Sequence, residues 1–132
     1  MQTNKENIII DITFRFSVKI ISFTEELEML KKYNMANQLF RSGTSIGANV
    51  REAQNAESKR DFIHKMKVAA KEADETAYWL MLCKESANYP TSVDLLQEIL
   101  SIQKVLSKII SSSKSLNEQQ LSSNHQITPL TN

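Results

Sequence analysis

Apolar residues recur at alternating spacings of four and three in four separate stretches of the chain. Phe16, Ile20, Phe23, Leu27 and Leu30 make the first series, and Leu39, Gly43, Ile46, Val50 and Ala53 the second. Phe62, Met66, Ala69, Ala73, Thr76, Leu80 and Cys83 make the third, and Leu95, Ile99, Ile102, Leu106 and Ile109 the fourth. Such spacing lays one seam along one side of a helix, and predicts helices over about 13–33, 35–54, 59–87 and 92–112. The boundaries carry their own signals. Asn34 ends the first helix and can cap the second. Ser58 followed by Asp61 has the form of a capping box, and Thr91 with Asp94 repeats it. Tyr89-Pro90 breaks the chain between them, since a residue before proline disfavours helix. Seams of this period with short connections predict an all-α fold, an antiparallel up-and-down four-helix bundle in one domain over 13–112.

The two ends follow different patterns. Ile8, Ile10, Ile12, Phe14, Phe16, Val18 and Ile20 alternate with mostly polar neighbours, the period of a half-buried strand. Residues 1–12 are therefore expected as an extended lead-in, with a strand over 8–18 as the alternative. From Ser111 onward Ser, Thr, Asn and Gln predominate. A segment so poor in apolar surface does not offset its ordering entropy, and 113–132 is expected to be a disordered tail.

Composition narrows the function classes. The chain has 132 residues with 2 Gly and 2 Pro, too few turn formers for a sandwich or barrel. The single cysteine, Cys83, excludes an internal disulfide and a multi-cysteine metal site, and suits a reducing compartment. No apolar run is long enough to span a bilayer, and the start, MQTNKENIII, lacks the order of a secretion signal. A cytoplasmic protein with no membrane partner is expected. Lys and Arg number 16 against 15 Asp and Glu, a net charge of +1, so any polyanion binding must come from a local patch.

Both glycines fall inside the second predicted helix, where each costs about 1 kcal/mol relative to Ala. Ser42, Gly43, Ser45, Gly47 and Ala48 make one flank of that helix unusually small. A missing Cβ permits close approach of another backbone. The approaching group can be a neighbouring helix of the bundle, another subunit or a ligand. Gly43, Ser45, Gly47 and Asn49 are the candidate residues for this contact.

The same stretch carries a resemblance. QLFRSGTSIGANVREA (38–53), DFIHKM (61–66) and KEADETAYWL (71–80) closely resemble the 23S rRNA intervening-sequence proteins, over roughly residues 10–115. The resemblance implies an up-and-down four-helix bundle that assembles as a homopentamer, and it implies no enzymatic activity. Some members are encoded within inserts of bacterial 23S ribosomal RNA genes. A related branch supplies the accessory variability determinant of diversity-generating retroelements, a basic pentamer that contacts reverse transcriptase and nucleic acid. Two departures stand out. Glu52 is followed by Ala53 where many members have Glu-Gly, and the charge of +1 falls short of the retroelement branch.

Catalytic and metal-binding chemistry finds little material. Glu72 and Glu75 are followed by no histidine at the spacing of bundle di-metal sites, His64 has no partner, and His125 lies in the polar tail. Cys83 sits on the apolar seam, where a thiol is buried and inert. Ser42 and Ser45 have no histidine nearby, and neither glycine belongs to a phosphate-cradling loop. No enzyme, cofactor or small-molecule substrate is expected.

Basic residues remain. Arg41, Arg51, Lys59, Arg60, Lys65, Lys67 and Lys71 face only Glu52, Glu57 and Asp61 within the same stretch. Arg60, Lys67 and Lys71 share one side of the third helix at spacings of seven and four. A ring of copies would multiply the patch into a surface for RNA or DNA. The alternatives are an ordinary solvated face and an adaptor that binds protein alone. Leu96, Leu100 and Ile110 add a second apolar stripe to the fourth helix, and Tyr78, Trp79 and Tyr89 cluster nearby. Together they form a surface suited to an interface outside the core.

Overall fold

The computed structural model describes the backbone of residues 4–127 and the side chains of 8–123. Four helices follow in order: α1 (Asn4–Met29), α2 (Tyr33–Ala53), α3 (Lys59–Glu85) and α4 (Val93–Ile127). Each packs on the next and α4 returns beside α1, so the helices occupy the corners of a square in up-and-down order. No strand occurs among the described residues.

The four seams meet on one axis. Phe16, Ile20, Leu27, Leu39, Ile46, Val50, Met66, Leu80, Ile99, Ile102 and Leu106 are all buried. Burying a side chain of this size contributes about 1.5–3 kcal/mol, so the seams dominate the stability of the fold. Ile63 is buried on α3 where the seam predicts Phe62, which packs half-buried at the edge of the core. The first seam stops at Leu27, and Leu30 stands half exposed in the turn.

Both ends depart from expectation. The extended lead-in over 1–12 and the strand over 8–18 are replaced by helix from Asn4 onward, and residues 1–3 lie outside the described residues. The reason is Thr13. Ile9, Thr13, Phe16, Ile20, Phe23 and Leu27 form one continuous four-three seam, but a hydroxyl in its second place hides it. Thr13 Oγ1 donates to the Ile9 carbonyl at 2.6 Å, so the buried hydroxyl is satisfied within its own helix. The tail expected from residue 113 is likewise helical through Ile127, while 128–132 lie outside the described residues. Ser113 is buried one helical repeat beyond Ile109, so a small polar residue extends the seam. Lys, Leu, Glu and Gln in this segment are good helix formers.

The connections are built by specific caps. Lys31 adopts φ 62°, with its own amide bonded to the Glu28 carbonyl and that of Lys32 to the Leu27 carbonyl. This is the Schellman arrangement with lysine where glycine is usual. Asn34, expected as a cap, lies inside α2 instead, and Lys32 before it supplies no side-chain cap. At α3, Ser58 Oγ accepts from the Asp61 amide at 3.0 Å. Asp61 Oδ2 in turn accepts from the Glu57 amide at 3.2 Å, one residue before its expected partner. At α4 the capping hydroxyl is Ser92, which accepts from the Leu95 amide at 3.1 Å, one residue later than the predicted Thr91.

Candidate functional site

The two glycines of α2 face α1. A Cβ on Gly43 would stand 2.8 Å from Ile20 Cγ1 and 2.9 Å from Cγ2; one on Gly47 would stand 3.3 Å from the Thr13 carbonyl oxygen. Their neighbour is thus a helix of the same bundle. Ser45 Oγ donates to the Arg41 carbonyl, and Asn49 Nδ2 donates to the Ser45 carbonyl at 2.8 Å, so both half-buried side chains turn back on their own helix. Ser42 and Thr76 join α2 to α3 through buried hydroxyls 2.9 Å apart.

The seven basic residues of the sequence patch do not form one surface. Arg41 bridges to α3, donating to Glu72 at 3.1 Å and to Glu75, which also accepts from Trp79 Nε1 at 3.1 Å. Its charge is spent inside the bundle surface. Arg51 lies on the far side, its guanidinium 5.4 Å from the centre of the Phe14 ring of α1. Lys59 sits over Phe62 at the start of α3, and Lys65 is half-buried away from the outer side.

What remains is a stripe on the outer side of α3. Arg60, His64, Lys67 and Lys71 follow at spacings of four, three and four, and all four are exposed. That interval keeps them on one side of the helix over three turns. None of the four has an ion-pair partner among the described residues. His64, without a metal-ligating partner in the sequence, is not among the basic residues read there; its place between Arg60 and Lys67 is the signal that joins it to the stripe.

The α3–α4 surface continues in two directions from one contact. Gln103 Nε2 donates to Asp74 Oδ1 at 2.8 Å and fixes which sides of the two helices meet there. Tyr78 and Met81 follow Asp74 by four and seven residues, Leu100 and Leu96 precede Gln103 by three and seven, and these share that surface. Tyr78, Met81 and Leu100 are about half exposed. Toward the start of α3 the same surface becomes basic. A second apolar strip lies across α1 and α2, on the opposite face of the square. There Phe14, Val18 and Ile21 follow one side of α1, and Phe40 lies three turns before Arg51 on α2, all about half exposed.

Other chemistry is sparse among the described residues. No three His, Cys, Asp or Glu side chains come together to hold a metal ion, and no helix is long and apolar enough to cross a membrane. Cys83 is buried, and desolvation raises its thiol pKa from 9.0 to about 11, which keeps it protonated and unreactive near neutrality. A groove of about 370 Å³ between α1 and α4, lined by Ile12, Arg15, Gln97, Glu98, Ser101 and Ile102, lies on a different face from the basic stripe.

Comparisons with known proteins agree with this architecture. The fold superposes with a TM-score of 0.77 on a crystal structure of a protein with unknown function from the S23 ribosomal protein family of Bacteroides thetaiotaomicron. The two are 40% identical, and the match covers 81% of this chain and 98% of that one. Comparison with curated proteins gave no match. Residues 5–112, nearly the whole bundle, match the family described as 23S rRNA-intervening sequence protein, and the chain belongs to that family.

Proposed function

We propose that this chain is a non-enzymatic, self-assembling helical bundle that binds RNA or DNA through the outer side of α3. The observation that carries the binding is the stripe of Arg60, His64, Lys67 and Lys71, exposed and free of ion pairs among the described residues. A row of cations along one helix suits the regular charge of a phosphodiester backbone, and binding of this kind is sequence-independent and salt-sensitive. The family that the sequence resembles has a related branch that contacts nucleic acid, which supports the same class of partner.

Assembly supports the binding. The chain's net charge of +1 gives a single copy little pull on a polyanion, whereas a ring repeats the stripe in every subunit. Two half-exposed apolar strips on opposite faces of the bundle favour a heterologous contact, in which unlike patches meet and successive copies close into a ring. The family resemblance gives that ring five copies. The apolar strip on α3–α4 occupies the half of α3 near its C-terminus and the basic stripe the half near its N-terminus, so one face serves both roles.

Gel-shift titration with a structured RNA tests the binding. The double reversal Arg60→Glu with Lys67→Glu is expected to weaken binding at least tenfold at low salt, because it replaces two attractive contacts with repulsive ones. Unchanged affinity would remove α3 from the interface. Recovery of a specific protein in place of nucleic acid, by a chain that gives no shift, would favour the adaptor reading.

A further inference from the structure

We propose that the C-terminal extension of α4 completes a phosphate clamp on the α3 stripe, with Lys114 set against Lys67 and Lys71 to grip a nucleic-acid backbone between two helices. The clamp rests on the nucleic-acid reading above and adds to it a residue outside the family-matched region, which ends at residue 112. Three observations converge on the site. The Asp74–Gln103 contact sets the facing sides of α3 and α4, with Lys67 two turns before Asp74 and Lys114 three turns after Gln103 on those same sides. Ser107, Ser111 and Lys114 follow at spacings of four and three along α4, all exposed, so two hydroxyls line the path to the lysine. Finally, the pKa of the exposed Lys67 is lowered, first by Lys114 across the α3–α4 surface, with slight desolvation and Lys71 adding to the effect.

Like charges held together in this way repel one another, and no carboxylate pairs with any of the three lysines among the described residues. A phosphate oxygen placed between the amines relieves that repulsion and accepts from each of them. Lysine serves as a point-charge contact of this kind without demanding bidentate geometry. The extension thus gives the stripe a second wall, and a backbone lying along α3 is held from both sides. Glu118, one turn beyond Lys114 on α4, marks the acidic limit of the cluster.

The test is the salt dependence of binding by the full chain to a fluorescein-labelled RNA hairpin, followed by anisotropy between about 50 and 200 mM KCl. Lys114→Gln is expected to weaken binding several-fold at the low end and to reduce the steepness of log Kobs against log salt by about 1. Glu118→Gln should shift affinity the other way, and Lys108→Gln, a third of the way round α4, should leave the slope unchanged. A wild type that binds with salt dependence, together with a Lys114→Gln variant of the same slope, overturns the clamp and leaves the nucleic-acid reading standing. Equal losses from Lys108→Gln and Lys114→Gln also overturn it, since they would report net charge alone. Absence of any salt-dependent binding by the wild type overturns both.

Discussion

Gly43 and Ile20 set how closely α1 and α2 approach. With Cγ1 and Cγ2 of a fully buried isoleucine within 2.9 Å of where a Cβ would stand, Gly43→Ala forces a branched side chain to move. Overpacking of this kind costs about 1–3 kcal/mol, and the better helix propensity of Ala returns about 1. Urea denaturation should therefore show a net loss of up to about 2 kcal/mol for Gly43→Ala. In an Ile20→Ala background the same change should become stabilising, by up to about 1 kcal/mol, because the clash is gone and the propensity remains. A stabilising Gly43→Ala in the wild type would show that the helices do not touch there. The glycines were legible in the sequence as a place of close approach; that the approaching helix was α1 of the same chain was not, because nothing in a one-dimensional pattern names the neighbour. Small hydroxyl residues were the other obscure feature. Thr13, Thr24, Ser42, Thr76 and Ser113 are all buried, and only Thr76 stood within an obvious seam. Thr13, Thr24 and Thr76 donate to carbonyls three or four residues back, so each reads as polar in the sequence yet packs as a core residue.

At the scale of helices, the interior of each was plain from four-three spacing, while ends depended on single hydrogen bonds. The Ser58 cap was visible because its carboxylate partner stands three residues on; at α4 Thr91 and Ser92 compete for the same role, and geometry selects the second. Losing a hydroxyl at such a position costs about 1 kcal/mol, so thermal or chemical denaturation of Ser58→Ala should show a loss of that size, and Ser58→Asp should retain most of the stability. No change in Ser58→Ala would mean that the Asp61 amide is satisfied without the cap. The same limit of pattern reading explains both missed termini. At the start of α1 alternating isoleucines imitate a strand, but Ile9, Thr13 and Phe16 are buried at helical spacing while Ile8 and Phe14, on the same strand face as Phe16, stand half exposed, which assigns the segment to helix. At the end of α4 the polar composition concealed a continuing helix, and with it Lys114. The basic stripe was therefore legible on α3 alone. The companion wall proposed for it was not, because the segment that would supply it was read as disordered, and Arg41 and Arg51 were counted with the stripe although Glu72, Glu75 and Phe14 hold them elsewhere.

The described residues present a well-filled core, two opposed apolar strips and a basic stripe without ion-pair partners. A monomer would leave Phe14, Val18, Ile21 and Phe40 in water on one face and Tyr78, Met81 and Leu100 on the other. Contiguous apolar patches of that kind mark interaction surfaces. The proposed assembly would cover both at once and raise the local density of positive charge, so the binding proposal depends on it. The most direct measurement is the mass of the native particle by multi-angle light scattering at micromolar concentration. A single species of two or more copies of the 15.1 kDa chain is expected, five on the family resemblance. A particle of 15.1 kDa under those conditions would contradict it.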